Sequence, residues 1–303
     1  MKDELQQTWR ALASDNLSGA SEIHSRVLAA LAQHFSLLFQ TTKALQDWPQ
    51  LLREMLHAQP AMAPLYTLAN QLALIFEQEH LREQDRLALA LSFIQTETLR
   101  ASRSNEAIAA QAFSLIAAEP RVLTHSASGT VAAALEYARR KGVNVEAYIS
   151  EARPANEGRR MAERLARAGI SVHFFVDDAR AHFLNEVDAV LLGADRISEN
   201  AFVNKIGSRS VAQLALAQKI PVAVLAGRNK LWPANLPFGQ ELEHAREEVW
   251  AGAPPNITLH DFYFEEIELH NAACVITDEG IFTPNHIQNE LHGFHAAEFW
   301  RPS

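Results

Sequence analysis

Hydrophobic side chains in the first part of the chain recur every three or four positions, which is the spacing of one face of an α-helix. The clearest series is Ile23, Val27, Leu28, Leu31, Phe35 and Leu38. Glycine is unfavourable inside helices, and its distribution agrees with this prediction, because eleven of the 12 glycines lie at Gly129 or beyond. We therefore predict an all-helical N-terminal domain over residues 1–119, which ends at Pro120.

From residue 121 onward, short apolar runs alternate with segments of helical period. The predicted strands are residues 121–125, 145–149, 171–176, 189–192, 222–225 and 273–276. The predicted helices are residues 129–142, 158–169 and 208–219. This alternation is typical of a mostly parallel sheet with right-handed crossovers. The fold class is therefore predicted to be α/β, with a helical N-terminal domain followed by a mostly parallel β-sheet domain over residues 120–303.

Polar residues follow the carboxyl ends of the predicted strands. They are Ser126, Ser128, Glu151, Arg153, Asp177, Asp178, Asp195, Gly227, Arg228 and residues 277–279. Ligands of open α/β sheets bind outside this edge of the sheet. The sequence therefore predicts one binding region there, before its chemistry is known.

Charge and motif content exclude several classes of function. The chain has 27 Lys and Arg against 36 Asp and Glu, a net charge of −9, so we expect no nucleic-acid partner. The polar start and the lack of any apolar run of roughly 18 residues predict a cytoplasmic protein without a membrane partner. No two glycines are closer than eleven residues, which excludes GxGxxG and GxxxxGK[ST]. Cys274 is the single cysteine, so a thiolate metal cluster is excluded and we expect no metal.

A segment rich in small hydroxyl residues joins the first predicted strand to the helix that follows it. It contains His125, Ser126, Ser128 and Gly129. Hydroxyl groups and free amides at a helix N-terminus bind anions, because the helix dipole and the unpaired N–H groups both favour negative charge. Ordinary N-capping by Ser126 or Ser128 explains the same residues equally well.

Asp195 follows an apolar strand directly. A carboxylate with apolar neighbours has a raised pKa and can serve as a general acid or base. A structural ion pair with Arg196 or Arg209 is the alternative.

Asn204 and Lys205 precede another predicted helix, and this combination suits a phosphate or a sugar hydroxyl.

Arginines cluster near the start of another predicted helix. Arg153, Arg159 and Arg160 can contact phosphate through two N–H groups at once. For Arg160 we favour salt bridges to Glu157 and Glu163 on one solvated face of the helix.

Five motifs in order are more specific than any one of them. They are Thr124-His125-Ser126, Glu151-Ala152-Arg153-Pro154, Gly193-Ala194-Asp195-Arg196-Ile197, Asn204-Lys205-Ile206-Gly207 and Thr277-Asp278-Glu279-Gly280-Ile281-Phe282-Thr283-Pro284. The series resembles the superfamily of methylthioribose-1-phosphate isomerase, ribose-1,5-bisphosphate isomerase and the alpha, beta and delta regulatory subunits of initiation factor 2B. The resemblance is strong over roughly residues 120–292 and weak in the helical half.

The resemblance implies a Rossmann-like C-terminal domain through which the protein forms a homodimer. It also implies isomerisation of a 1-phosphorylated aldopentose to the ketose, without a metal or nucleotide cofactor. The catalytic positions of the family correspond to Asp195 and Ser126, the latter standing where the isomerases have cysteine. The phosphosugar contacts correspond to Asn204, Lys205 and Arg153.

Three departures from the family pattern bear on function. A serine hydroxyl is far less acidic than a thiol, whose pKa is about 8.5, so Ser126 cannot take over thiolate chemistry unaided. Glu157 stands where a glutamine is expected, and its charge repels phosphate. Two arginine positions of the helical half are occupied by Ser18-Gly19-Ala20 and Ala63-Pro64.

These departures leave the enzymatic status open between two main hypotheses. The first is an initiation factor 2B subunit-like protein that binds a phosphorylated pentose or nucleoside monophosphate without cysteine-dependent chemistry. The second is an aldose–ketose isomerase with Asp195 as acid and base, in which Glu157 or another group replaces the thiol. A serine hydrolase built on Ser126, Asp195 and His286 is a third hypothesis, but the chain has no GxSxG.

Overall fold

The computed structural model describes residues 2–14, 20–41, 47–60, 62–233, 236 and 245–300. The helices are α1 (Lys2–Ala13), α2 (Ala20–Gln40), α3 (Trp48–Ala58), α4 (Ala63–Phe76), α5 (Glu83–Ala118), α6 (Gly129–Arg140), α7 (Glu157–Arg167), α8 (Arg180–Phe183), α9 (Ser208–Ala217) and α10 (Pro284–His292). The strands are β1 (Arg121–Thr124), β2 (Glu146–Ser150), β3 (Ser171–Phe175), β4 (Ala189–Gly193), β5 (Arg196–Ile197), β6 (Ala201–Lys205), β7 (Val222–Leu225), β8 (Phe264–Glu268), β9 (Cys274–Ile276) and β10 (Ile281–Phe282).

The chain forms two compact units. The helical unit comprises residues 1–103, 229–240 and 293–303, and the sheet unit comprises residues 104–228 and 241–292. Helix α5 contributes residues to both units. The predicted division into a domain 1–119 and a domain 120–303 stays a prediction.

The helical unit is built on the apolar face that the sequence predicts. Every member of the series on α2 is buried in one core: Ile23, Val27, Leu28, Leu31, Phe35 and Leu38. Pro64 lies in the first turn of α4, where a missing backbone N–H costs no hydrogen bond. Ser18 and Gly19 of the departure noted above lie outside the described residues.

The sheet unit confirms the predicted α/β class. Its main sheet has the order β10-β9-β7-β4-β1-β2-β3, with only the β9–β10 pair antiparallel. Its core is formed by apolar residues of the strands and of α5, α6 and α7. A second sheet, β5-β6-β8, is antiparallel and was not predicted from the sequence. Asn204 and Lys205 lie at the end of β6, and α9 begins shortly after them at Ser208, as predicted.

The strand order fixes where a ligand site forms. The chain runs from β1 outward to β2 and β3, and then returns to β4 on the other side of β1. Adjacent crossovers therefore leave β1 and β4 in opposite directions, which opens a crevice at the carboxyl ends of these two strands. The segment after β1 begins with His125, and the segment after β4 leads to Asp195.

Among the described helices, none combines the length and the apolar character needed to cross a bilayer.

Candidate functional site

Three chain segments meet at the crevice between β1 and β4. A side-chain carbon added at Gly193, the last residue of β4, would lie 2.6 Å from the hydroxyl of Ser128 and 3.9 Å from Oδ1 of Asn204. The end of β4, the start of α6 and strand β6 are therefore packed around one point. Glycine is needed at this point because any side chain would displace Ser128.

His125 ties the end of β1 to two other segments. The residue is 1% exposed, and its ring nitrogens lie 2.7 Å from Ser150 Oγ (Nδ1) and 2.7 Å from the carbonyl of Ile206 (Nε2). A carbonyl can only accept, so Nε2 carries the proton and Nδ1 accepts from the Ser150 hydroxyl. Burial lowers the pKa of His125 to about 4, with the charges of Arg180 and Lys205 acting in the same direction. Both nitrogens have protein partners, so ligand binding by His125 stays a prediction.

The segment between β1 and α6 has the features of an anion site. Ser126 adopts φ +67, a left-handed conformation that costs energy for a residue with a side chain. Its half-buried hydroxyl has no hydrogen-bond partner among the described residues. Ser128 accepts a hydrogen bond from the N–H of Val131 at 3.3 Å, so it is the N-cap of α6. The space where a side chain of Gly129 would lie is empty.

Asp195 lies two residues beyond Gly193 and is half-buried. Its backbone N–H donates to the carbonyl of Val203 at 2.8 Å, which joins it to β6. Nη2 of Arg196 lies 2.5 Å from Oε1 of Glu266, and Nε of Arg209 donates to the Glu266 carbonyl. Both arginines thus have partners on β8. The predicted catalytic role of Asp195 has support from its position and is not tested by these contacts.

Lys205 and Glu157 form an ion pair at the same edge of the sheet. Nζ of Lys205 lies 3.0 Å from each carboxylate oxygen of Glu157, and the lysine is only 2% exposed. The ammonium group also lies 3.8 Å from the ring centroid of Tyr263, within cation–π distance. The predicted contact of Lys205 with a phosphate therefore requires this pair to open.

The N-terminus of α9 is already occupied by a carboxylate. Oε1 of Glu265 accepts hydrogen bonds from the N–H groups of Gly207 at 2.7 Å and Arg209 at 2.9 Å. Sequence analysis missed Glu265 because β8 was not predicted. Asn204 donates from Nδ2 to the Ser208 hydroxyl at 2.9 Å, and its Oδ1 faces the meeting point at Gly193.

Arg153 and Asp177 hold the loop after β2. Nη2 of Arg153 donates to the carbonyls of Glu248 and Val249, each at 3.2 Å. The Asp177 carboxylate accepts from the N–H groups of Ala152 at 3.0 Å and Arg153 at 2.8 Å. Burial acts to raise the pKa of Asp177, but these two N–H groups, together with Ser150 and His125, lower the pKa below its usual value. Arg153 is thus anchored, and its predicted contact with a phosphate would require those two bonds to break.

No group of three or more His, Cys, Asp and Glu side chains in the described part of the chain is arranged to hold a metal ion.

Known proteins similar to this chain fall into one group. The model of the initiation factor 2 subunit family matches residues 18–284. Ribose 1,5-bisphosphate isomerase of Haloferax volcanii is 30% identical over 190 residues, which cover 59% of this chain and 58% of that protein. Methylthioribose-1-phosphate isomerase of Thermotoga petrophila is 28% identical over 289 residues, which cover 87% and 82%. The chain spans 44% to 60% of the length of the first four curated relatives.

Solved structures show the same fold. A translation initiation factor eIF-2B of Pyrococcus horikoshii superposes with a TM-score of 0.75 at 23% identity, covering 93% of this chain and 98% of that one. A 5-methylthioribose 1-phosphate isomerase of the same organism gives a TM-score of 0.71 at 21% identity, covering 95% and 87%.

Proposed function

The chain belongs to the initiation factor 2 subunit family, and on that premise we propose that it binds a phosphorylated pentose in the crevice between β1 and β4 and interconverts its aldose and ketose forms. The observation that carries this proposal is that Gly193, Ser128 and Asn204 lie together at that crevice. Gly193 is two residues before Asp195, so the carboxylate follows directly. The Thermotoga petrophila relative, which is similar over 87% of this chain and 82% of its own length, is named as a methylthioribose-1-phosphate isomerase, and this supports the same reaction class.

The phosphate binds at the start of α6 in this proposal. Helix N-termini present unpaired N–H groups and a positive dipole end, both of which favour a phosphate. The open space beside Gly129 lets an anion approach the backbone closely. The hydroxyl of Ser126, which has no partner in the part of the chain that the structure describes, supplies an additional donor.

Asp195 moves the proton in this proposal. Protonation of the ring oxygen of an aldose 1-phosphate breaks its bond to C1, and loss of the C2 proton then gives an enol. Return of that proton to C1 and loss of the enol O–H proton from O2 give the ketose with a carbonyl at C2. The proton lost from O2 replaces the one given to the ring oxygen, so atoms and electrons balance without an added redox partner. Asp195 would accept the C2 proton and return it to C1. A second donor serves the ring oxygen, and Ser126 and the Glu157–Lys205 pair are the candidates at this edge.

A second candidate function is binding without turnover, and the residue at position 126 favours it. A serine hydroxyl lacks the acidity of a thiol, so the cysteine-dependent step of the isomerases has no direct equivalent. In that case the ligand would be a pentose phosphate or nucleoside monophosphate that stabilises the protein. For both functions we propose a cytoplasmic homodimer.

Turnover of ribose 1-phosphate, followed by ³¹P and ¹H nuclear magnetic resonance, separates the two functions. We expect the wild-type protein to form the ketose phosphate and Asp195→Asn to lose activity by at least 100-fold. The exposed Asp178→Asn is the matched control and should retain activity. If nothing turns over but ribose 1-phosphate raises the melting temperature, the binding function replaces the isomerase. A gain of turnover in Ser126→Cys would then identify the missing group.

A further inference from the structure

We infer that Glu157 makes this site selective for a pentose with a single phosphate, because its ion pair with Lys205 removes the positive charge that a second phosphate would need. The inference rests on the proposed phosphopentose function and adds the substrate class. Glu157 acts here as a specificity-determining residue.

Lys205 has little freedom to serve a second anion. Its ammonium group is enclosed by the Glu157 carboxylate and by the ring of Tyr263. The strand that carries it pairs with β8 on one side, at the register Lys205–Phe264. A cation this deeply buried needs a counter-charge close by. Glu157 supplies it, so a phosphate reaching Lys205 would have to displace a carboxylate that remains next to it.

Glu157 cannot move away with its helix. It is the first residue of α7, and the next residue is packed directly against the end of β2. A side-chain carbon at Gly158 would lie 1.9 Å from the carbonyl oxygen of Ser150, which shows how closely the two backbones approach. The carboxylate also lies at a helix N-terminus, where the dipole favours its negative charge. The position of Glu157 is therefore set by backbone packing.

Three further positive groups at this edge are also committed within the protein. Arg153 donates to the carbonyls of Glu248 and Val249. Arg180 donates from Nη1 to the carbonyl of Gly207 at 3.2 Å. The N–H groups at the start of α9 are bound by the Glu265 carboxylate. Each of these groups would have to give up a protein partner before it could hold a second phosphate.

The first and the second phosphate of a pentose bisphosphate therefore meet different electrostatic surroundings in this site. The start of α6 offers N–H groups and the Ser126 hydroxyl, which suit one phosphate. A second phosphate would add a charge of about −1.5 to −2 next to the carboxylate of Glu157. Repulsion of this kind lowers affinity for the wrong ligand and so creates specificity.

Isothermal titration calorimetry on the full chain tests the inference. Ribose 1-phosphate and ribose 5-phosphate are compared with ribose 1,5-bisphosphate, all at the same ionic strength. We expect the wild-type protein to bind at least one monophosphate tenfold or more tighter than the bisphosphate. In Glu157→Gln, which keeps the shape and removes the charge, affinity for the bisphosphate should rise at least tenfold, or about 1.4 kcal/mol. The measured quantity is the ratio of bisphosphate affinity to monophosphate affinity, which should rise with the loss of this charge.

Glu163→Gln is the matched control. It removes the same charge from the same helix, but Glu163 is exposed and contacts Arg167. Its binding profile should equal that of the wild type. A change of the same size in Glu163→Gln and Glu157→Gln would overturn the inference, because the effect would then reflect net charge alone.

The outcomes separate this inference from the proposed function. Wild-type protein that binds the bisphosphate as tightly as the monophosphates overturns the selectivity while the function stands, and this measurement does not depend on the folding of any variant. If the wild type binds no pentose phosphate but Glu157→Gln binds the bisphosphate, the exclusion of a second phosphate by Glu157 holds, while the proposed function and the preference for a monophosphate fail. If neither protein binds any of the three sugars, both are overturned.

Discussion

The Nε2 of His125 donates to the carbonyl of Ile206 across 81 positions of the chain, at 2.7 Å. This bond joins the end of β1 to the segment that leads into α9. The fit around it is close, since a side-chain carbon at Gly207 would lie 3.0 Å from the same nitrogen. Gly207 has φ +98, a conformation that glycine adopts without strain. A neutral, buried imidazole is therefore part of the frame that positions the crevice.

The neutral state of His125 predicts a loss of stability in mild acid. Its pKa falls from 6.5 to about 4 on folding because of burial. Between these values the unfolded chain binds a proton that the folded protein excludes. The stabilising effect is therefore complete above pH 6.5 and is lost as the pH falls towards 4, by about 3 kcal/mol at most. The opening free energy of the β1 amides, obtained from their hydrogen-exchange protection factors at pH 5 and pH 7, measures this loss.

His24 provides a comparison in the helical unit, because burial also lowers its pKa to about 4. His125→Gln should remove the pH dependence of the opening free energy in β1 and leave that of the opening free energy in α2 unchanged. An equal pH dependence in β1 of the variant and the wild type would contradict the role given to His125.

Glu157 and Lys205 should be strongly coupled in stability. Glu157→Leu leaves a buried ammonium group without its counter-charge, and we expect a loss of about 3 kcal/mol in the free energy of unfolding. Adding Lys205→Met removes that charge, so the double variant should recover most of the loss. Urea unfolding of the two single variants and the double variant gives the coupling energy. Additive effects would show that the two charges do not depend on each other.

Gly193 and Gly129 should respond differently to alanine. In Gly193→Ala the new methyl group would meet the Ser128 hydroxyl, so the N-cap of α6 should be lost at a cost of about 1 kcal/mol. Binding of a pentose monophosphate should weaken at least tenfold, because the proposed phosphate site is the start of α6. Gly129→Ala has free space and should keep its stability within about 0.5 kcal/mol. Thermal unfolding and calorimetric titration of both variants test this difference.

Glu265 should stabilise α9, because its carboxylate binds the N–H groups at the start of the helix, where an anion from solution could otherwise bind. Loss of its two backbone hydrogen bonds in Glu265→Ala should cost about 1–2 kcal/mol. The freed N–H groups should then bind inorganic phosphate, so phosphate would raise the melting temperature of the variant more than that of the wild type. Glu268→Ala, an exposed residue paired with His270, is the control. Equal phosphate effects in both variants would contradict the capping role.

The main sheet was predictable because its strands are apolar runs bounded by turns. Strand β7 has the predicted bounds, and β4 extends one residue beyond its prediction, to Gly193. Burial on both faces of a parallel sheet makes such runs hydrophobic throughout, so they are visible locally. The sequence also predicts a binding region at the carboxyl edge of this sheet, but the crevice between β1 and β4 depends on the strand order, which only the structure gives.

The charge pattern inside the site was not predictable in the same way. Strand β6 has only three apolar residues before Asn204 and Lys205, and β8 has three glutamates among its five residues, so neither strand is apolar throughout. The partners of Lys205 and of the α9 N-terminus come from 48 and 58 positions away. Local sequence carries no signal for such distant pairs. Sequence therefore located the functional groups but could not show which of them were already bound to one another.

The central claim is that one phosphate of a pentose binds at the start of α6, with the sugar beside Asp195. A crystal structure of the protein with ribose 1-phosphate tests it most directly. We predict phosphate density within hydrogen-bond distance of the backbone N–H groups that follow Ser126, with the Glu157–Lys205 pair still closed. Phosphate bound to Lys205 with Glu157 displaced, or found away from the β1–β4 crevice, would contradict the account.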